Sequence, residues 1–105
     1  MKKYLVVITP SAEADIIDSF IWGCSEWGIE AAQKWANEIR SHILKNLSTF
    51  PLKYPIVFGS KNRSPIRKMV VGRYRILFQI KKSEVYVLYV GAPHPETNYY
   101  FSNNL

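Results

Sequence analysis

The chain has 105 residues, carries a net charge of +6 and is 48% apolar, a composition that supports a hydrophobic core and excludes intrinsic disorder. No apolar run reaches the roughly 18 residues that a membrane-spanning helix needs, and the apolar start is interrupted by Pro10 with no signal-peptide cleavage site. Cys24 is the only cysteine, which excludes an internal disulfide and a thiolate metal cluster. We therefore predict one domain over residues 1–105, soluble and cytoplasmic, with no cofactor and no metal.

The N-terminal half predicts one strand followed by two helices. The run from Tyr4 to Ile8 is rich in β-branched and aromatic residues, as a buried strand is. Thr9-Pro10 is typical of an N-cap and a first helical residue, and Gly28 is typical of a helix end. A second helix is predicted from about Ile29 to Ser48, and the short connection between the two indicates an antiparallel helical hairpin.

Each predicted helix has one apolar face that we expect to be buried. In the first helix this face consists of Ile16, Ile17, Phe20, Ile21, Cys24 and Trp27. In the second it consists of Ala32, Trp35, Ala36, Ile39, Ile43 and Leu47, with Phe50 closing it. The two faces together predict a helical layer that packs against a sheet.

The C-terminal half predicts a loop and then three strands. The segment from Phe50 to Pro65 contains three prolines and Gly59, which indicates a surface loop. The strands are predicted at Ile66–Val71, Tyr74–Ile80 and Val85–Val90. Alternation in the middle strand places Tyr74, Ile76, Phe78 and Ile80 on one face and Arg75, Leu77 and Gln79 on the other. The order βααβββ predicts an α+β domain, a twisted, mostly antiparallel sheet of four strands with the helical hairpin on one face.

Charge is distributed unevenly between the two halves. Acidic residues outnumber basic ones from Ser11 to Ser48, whereas Lys61 to Lys82 contains eight basic residues and no acidic one. This asymmetry predicts a polyanion or a strongly acidic protein as the partner of the second half. The alternative is a solvated basic surface without a specific partner.

Two stretches of the chain resemble a known toxin superfamily. The first runs from Tyr4 to Ile16 and continues in Glu26-Trp27-Gly28, Ala31-Ala32, Leu47 and Phe50-Pro51; the second comprises Ile66 to Phe78 and Val85 to Val90. The first resembles the N-terminal half of ParE-type toxins, and the second resembles the strand pair shared by ParE and RelE toxins. The resemblance implies the toxin of a type II toxin–antitoxin module of the plasmid-stabilisation type. ParE-like members poison DNA gyrase, and RelE-like members cut messenger RNA on the ribosome.

The RelE pattern implies a metal-independent ribonuclease site built from lysines, arginines and a tyrosine. Lys68 and Arg75 match that pattern by position, and Tyr99 lies near its tyrosine. Ile66 stands where the pattern has a second lysine, and the C-terminal arginine of the pattern falls at or beside Pro93. The set of charged groups is therefore incomplete, which weakens the ribonuclease interpretation.

The C-terminal tail offers a candidate replacement for the missing groups. Some ribonuclease relatives use a histidine near the C-terminus, and here His94 lies close to Glu96 in the sequence. Histidine as a residue type suits proton transfer near neutral pH. The alternative is an ordinary surface histidine. Tyr99, Tyr100 and Phe101 can stack on bases or fold back onto the core.

Arg75 is the strongest candidate for a binding residue, because alternation places it away from the predicted core face. It can bind phosphate in a nuclease, or a carboxylate of an antitoxin or of gyrase. The alternative is a structural ion pair with Glu84 or Glu96. Arg67 and Arg73 carry the same two interpretations.

Trp22 departs from the pattern of its helix. It falls among Asp15, Asp18 and Glu26 on the face predicted to be in water, and an exposed tryptophan is typical of an interface. We expect Trp22 to contact the antitoxin, a second toxin chain or the target. The alternative is packing beneath the tail.

The ParE-like interpretation is favoured, because the N-terminal half is closer to ParE and the RelE set is incomplete. It implies a toxin without an active site that binds DNA gyrase through the hairpin and the basic strands and is silenced by a cognate antitoxin. Assembly as a homodimer, or as a heterotetramer with the antitoxin, fits this interpretation. The first alternative is a ribosome-dependent endoribonuclease that uses Arg75, Lys68, His94 and Tyr99 on messenger RNA. The second is a family member whose only activity is to bind an antitoxin.

Overall fold

The structure is a computed structural model that describes residues 3–59 and 64–92. Its elements are β1 (Leu5–Ile8), α1 (Pro10–Trp27), α2 (Ile29–Leu47), a 3-10 helix (Pro51–Lys53), β2 (Ile56–Phe58), β3 (Ile66–Val71), β4 (Tyr74–Lys81) and β5 (Glu84–Gly91). The predicted α+β class is confirmed, with two helices followed by most of a mixed sheet.

The sheet has five strands in the order β1-β5-β4-β3-β2. All neighbours are antiparallel except β1 and β5, so the predicted mostly antiparallel arrangement is confirmed. The predicted number of four strands is wrong, because β2 lies inside the segment predicted as a loop. It pairs with β3 at the edge, where the Lys68 amide donates to the Pro55 carbonyl at 3.0 Å. An edge strand needs ladder bonds on one side only, so a flanking proline is tolerated.

The predicted start and end of α1 are confirmed. Thr9 is the N-cap, and its hydroxyl accepts a hydrogen bond from the Ala12 amide at 3.3 Å. The same hydroxyl donates to the Val87 carbonyl of β5 at 2.6 Å. Gly28 has φ of 94°, a conformation that is readily available only to glycine, and α2 begins at the next residue. The cap therefore fixes both the start of α1 and its position on the sheet.

Replacing Thr9 by alanine is expected to lower the free energy of unfolding by about 1–2 kcal/mol, because the variant loses the cap and one of the two hydrogen bonds that the Val87 carbonyl accepts from Thr9. Urea denaturation followed by circular dichroism measures the change. Thr49→Ala is the matched control, since the Thr49 hydroxyl bonds only to carbonyls at the end of its own helix. Equal stability of the two variants would contradict the assigned role of Thr9.

The predicted buried face of α1 is partly wrong. Ile16 is fully buried, but Ile17 is 47%, Ile21 is 61% and Trp27 is 43% exposed. The buried residues of α1 are Ala12, Ile16, Ser19 and Gly23. A methyl group on Gly23 would lie 3.3 Å from the Ala32 side chain of α2, so the helices approach each other through small residues. The face of α1 that was assigned from its large apolar side chains therefore differs in direction from the face that is buried.

The predicted buried face of α2 is confirmed. Its buried residues are Ala32, Ala36, Ile39, Ile43 and Leu47, and Trp35 packs against the core with its ring centroid 4.8 Å from that of Tyr74. Phe50 does not close this face, because it is 53% exposed. Pro51 is buried instead, since the chain turns into the 3-10 helix at this point.

The core lies between the helical hairpin and one face of the sheet. From β4 it takes Tyr74, Ile76 and Phe78, and Ile80 packs against it, as the alternation predicted. Helix α1 covers β5, and the helices contribute Ile16, Ile39, Ile43 and Leu47 to the same cluster. The opposite face of the sheet is not part of this core, and we call it the open face.

Candidate functional site: the open face of the sheet

The pairing of β3 with β4 shows which of their residues lie on each face of the sheet. Lys68 lies opposite Leu77, and Val70 lies opposite Arg75, and opposed residues of antiparallel strands point to the same face. These four therefore lie on the open face, where Arg75 is exposed and Val70 is 56% exposed. The predicted orientation of Arg75, away from the helices, agrees with this placement.

A β-bulge changes which residues of β5 reach the open face. Phe78 pairs with Val87, but Leu77 pairs with Tyr89, so Leu88 is the extra residue. A bulge of this kind reverses the alternation beyond it. Val85 and Val87 are buried before the bulge, and Val90 is 2% exposed after it. Tyr89 consequently joins Leu77 on the open face.

The Tyr89 ring lies over Gly91, where the absence of a side chain leaves room for it. Gly91 is the residue paired with Arg75, and a methyl group there would overlap the Tyr89 hydroxyl and ring. The phenol therefore lies over the Gly91 backbone, on the same face as Arg75. We call Lys68, Val70, Arg75, Leu77, Tyr89 and Gly91 together the Arg75 patch.

The Tyr89 phenol is a hydrogen-bond donor over the whole physiological pH range. Its pKa is raised to about 12, chiefly by burial and also by the charge of Asp15, while the charge of Arg75 lowers it. The Arg75 patch thus contains a guanidinium and a phenol that keeps its proton. Sequence reasoning did not identify Tyr89 and assigned the tyrosine position of the RelE pattern to Tyr99. The available signal for Tyr89 was its spacing from Gly91, two residues later on the same strand.

The open face brings together two of the predicted ribonuclease residues, Lys68 and Arg75. Ile66 lies on the same face, opposite Gln79, so an apolar side chain stands where the RelE pattern has its second lysine. His94, Tyr99, Pro93 and Glu96 lie outside the described residues, as do Lys61 and Arg63 of the basic segment. The catalytic assignment of His94 and Tyr99 stays a prediction.

Arg67 and Arg73 do not join Arg75. Arg67 lies opposite Phe78 on the helix-facing side, and its guanidinium donates to the carbonyls of Leu52 at 3.3 Å and Tyr54 at 2.7 Å. It therefore holds the 3-10 helix against β3. Arg73 follows Gly72 in the β3–β4 turn and borders an open pocket of about 200 Å³ beside α2. The three arginines do not form one patch, and partner binding by Arg67 and Arg73 stays a prediction.

The proposed ion pair between Arg75 and Glu84 is wrong. Glu84 pairs with Lys81 at one end of the β4–β5 hairpin, whereas Arg75 pairs with Gly91 at the other end. The Glu84 carboxylate accepts a hydrogen bond from the Tyr86 hydroxyl at 2.6 Å. Arg75 and Glu84 therefore lie too far apart along the hairpin to form an ion pair.

Trp22 is half-buried, so the prediction of a water-exposed side chain is wrong in part. Its ring meets the Trp27 ring edge to face at a centroid distance of 5.3 Å. Ile21 of the same helix and Ile29 at the start of α2 are exposed near this end of the hairpin, and Ile17 is exposed one helical turn before Ile21. Its role as an interface residue stays a prediction.

Asp15 connects α1 to β5 through a side-chain hydrogen bond. The Val90 amide, which lies beyond the end of β1, donates to the Asp15 carboxylate at 3.0 Å. Burial raises the pKa of the Asp15 carboxyl, the Val90 hydrogen bond lowers it and the charge of Asp18 raises it, with a net shift upward. Sequence reasoning treated Asp15 only as a helix-dipole residue, and nothing local in the sequence indicates its contact with residue 90.

The raised pKa of Asp15 predicts how the stability of the fold depends on pH. Because its pKa is raised in the folded chain, the folded chain holds the proton more tightly than the unfolded chain does. The wild type should gain stability relative to Asp15→Asn as the pH falls toward 3.8, and should lose that gain as the pH rises through the folded-state pKa. Urea denaturation of both proteins from about pH 3 to about pH 7 measures the difference. A constant difference, or a gain toward high pH, would contradict the burial of this carboxylate.

Within the described residues, no cluster of three or more His, Cys, Asp or Glu side chains can hold a metal ion. No helix of the described ranges has the length and apolarity needed to cross a membrane. The alternation of β4 places Lys81, and its strand partner Glu84, on the open face together with Lys68 and Arg75.

Comparison with known proteins identifies the family. The family model for the ParE toxin of the type II toxin–antitoxin system parDE matches residues 6–92. The chain belongs to the ParE toxin family. The superfamily predicted from the sequence is thus confirmed, and the chain is the toxin component of a type II toxin–antitoxin system. Among curated proteins, no sequence matches it significantly.

Two solved structures share the fold of this ParE-family chain. A chain of the chromosomal ParDE toxin–antitoxin system from P. aeruginosa superposes with a TM-score of 0.72 at 18% identity, over 88% of this chain and 98% of that chain. A chain of the RelBE2 toxin–antitoxin complex from Mycobacterium tuberculosis superposes with a TM-score of 0.66 at 19% identity, over 89% of this chain and 94% of that chain. At these identities the likeness establishes the fold alone.

Proposed function

We propose that this chain acts as a ParE-like toxin that inhibits DNA gyrase by binding it. The observation that carries the proposal is the composition of the Arg75 patch. Arg75 and Lys68 stand among Val70, Leu77 and Tyr89, and this mixture of an arginine, an aromatic ring and apolar side chains is typical of protein interfaces. The family match adds to the proposal, because the resemblance to ParE implies gyrase as the target.

An antitoxin partner is part of the same proposal. Both solved structures described above are toxin–antitoxin complexes. The helical hairpin exposes Ile17, Ile21 and Ile29, and exposed apolar side chains in one region mark an interaction surface. We assign this surface, together with Trp22, to the antitoxin.

The alternative is a RelE-like, ribosome-dependent endoribonuclease. One observation favours it: Lys68 and Arg75 share the open face on neighbouring strands, where two cations can contact one phosphate group. Against it stands Ile66, which replaces a cation on that face. Protein docking therefore explains the described part of the face better than phosphate chemistry does.

The discriminating experiment uses the purified full-length chain in two assays. Supercoiling of relaxed plasmid by purified gyrase should be inhibited, with ribosome-bound messenger left intact. Intact supercoiling combined with codon-register cuts in the messenger would overturn the proposal in favour of the ribonuclease. Intact supercoiling and intact messenger would overturn both activities and leave antitoxin binding alone.

A further inference from the structure

One face of α1 combines exposed apolar side chains with carboxylates. It consists of Ile17, Asp18, Ile21, Trp22 and Glu26, and we call it the α1 outer face. We propose that the α1 outer face binds a segment of a protein partner that carries lysine or arginine beside its apolar side chains. The inference rests on the proposed function, which assigns this surface to the antitoxin, and adds the charge of the segment that binds there.

Helix geometry brings these five residues together. Residues four positions apart are neighbours on a helix surface, so Ile17 adjoins Ile21, and Trp22 lies between Asp18 and Glu26. Ile17 is 47% and Ile21 is 61% exposed, and both carboxylates are exposed. The buried residues of α1 are Ala12, Ile16, Ser19 and Gly23. The α1 outer face therefore points away from the side of the helix that is buried.

The N-terminal part of the chain carries only acidic charge. From Tyr4 to Gln33 it has five acidic residues and no lysine or arginine. Two of the five have partners within the fold. The Glu13 carboxylate accepts a hydrogen bond from Arg40 at 3.1 Å, and the Asp15 carboxylate accepts one from the Val90 amide at 3.0 Å. These two acids hold elements of the fold together and are not offered to a partner.

The other three acids, Asp18, Glu26 and Glu30, are exposed, and within residues 3–59 and 64–92 they make neither a hydrogen bond nor an ion pair. Glu26 stands in the last turn of α1, which has no basic residue, although the negative end of the helix dipole favours a cation there. A lysine or arginine of a partner can neutralise Asp18 and Glu26 while its apolar neighbours cover the two isoleucines. Charge complementarity therefore selects a basic segment.

Other occupants match the charge of this face less well. Residues 93–105 of the chain itself contain no lysine or arginine, so that segment brings no cation to Asp18 or Glu26. A second copy brings basic residues, but two chains that each carry a net charge of +6 repel one another. The carboxylates likewise repel a nucleic-acid backbone.

The test measures the dissociation constant of a dye-labelled, end-blocked helical peptide against the purified full-length chain by fluorescence anisotropy. The peptide has leucine at every third or fourth position with lysine beside it, and its counterpart has glutamate in place of lysine. The lysine peptide should bind roughly tenfold more tightly than the glutamate peptide. The net charge of +6 alone favours the opposite order, so this preference reports the local face.

Asp18→Lys should weaken binding of the lysine peptide roughly tenfold, because it replaces an attraction by a repulsion. Ile21→Ala should weaken it by a similar factor, because it removes apolar contact area. Glu38→Lys and Leu44→Ala are the matched controls, since both change exposed residues of α2. They should leave the dissociation constant close to that of the wild type, and circular dichroism should show an unchanged fold in all four variants.

Equal binding of the two peptides, or an equal effect of Asp18→Lys and Glu38→Lys, would overturn the basic-segment site. Concentration-dependent self-association of the wild type in sedimentation, abolished by Asp18→Lys, would also overturn it, in favour of a second copy on this face.

Gyrase supercoiling measured on the same proteins separates this result from the proposed function. Gyrase inhibition by the wild type, with peptide binding that ignores Asp18, would refute the site and spare the inhibition. Asp18-dependent binding of the lysine peptide by a chain that does not inhibit gyrase would support the site and refute the inhibition. An Asp18→Lys variant that loses the peptide and still inhibits gyrase supports both.

Discussion

Replacing Phe78 by alanine is expected to lower the free energy of unfolding by about 3–5 kcal/mol, the usual cost of truncating a fully buried phenylalanine. Phe78 is 0% exposed and is one of the largest side chains of the core. Its ring meets the Tyr54 ring edge to face at a centroid distance of 5.9 Å, so the variant loses that contact as well as apolar burial. For a domain of marginal stability this is a large share of the total.

Urea denaturation followed by circular dichroism measures the loss. Leu44→Ala is the matched control, because Leu44 is 46% exposed on α2 and alanine favours a helix; its effect should stay within about 0.5 kcal/mol. Phe78 also lies one residue from the bulge in the β4–β5 register. A loss no larger than that of Leu44→Ala would contradict the central position of Phe78.

Replacing Arg75 by glutamate is expected to raise the concentration of chain that half-inhibits gyrase by roughly a hundredfold, because the change removes a donor to a partner carboxylate and adds a like charge. Arg75→Lys should recover only part of the inhibition, since lysine keeps the charge and loses the planar fork. Dose–response curves of gyrase supercoiling measure both effects.

Two controls isolate the effect of position 75 from net charge and from folding. Lys45→Glu makes the same change in net charge at an exposed position of α2 and should leave inhibition close to wild type. Circular dichroism and urea denaturation of each variant should show an unchanged fold. Equal loss in Lys45→Glu would mean that overall charge, and not the Arg75 patch, governs the encounter.

Local signals predicted most of the fold. Thr9, Pro10 and Gly28 mark helix ends through backbone chemistry that acts within a few residues, so the bounds of α1 were recovered. The helical layer was less well predicted, because α1 and α2 meet through Gly23 and Ala32. Small residues carry little hydrophobic signal, although close packing depends on them. Strand β2 was missed because three residues at an edge show no readable alternation.

The candidate site could be predicted only in part, for a related reason. Alternation along β4 was sufficient to place Arg75 on the open face. Tyr89 could not be placed, because the bulge at Leu88 reverses the alternation and only the paired register reveals it. Asp15 and Val90 meet across 75 positions of the chain, and a contact of that range leaves no local pattern.

The most direct test of the account asks whether gyrase covers the open face. A single cysteine is placed at position 70 by Val70→Cys in a Cys24→Ser background, and its rate of labelling by a maleimide is measured with and without saturating gyrase. Leu44→Cys in the same background serves as the reference on α2. We expect slow labelling at position 70 in the presence of gyrase and an unchanged rate at position 44. Equal labelling rates at position 70 with and without gyrase would contradict it.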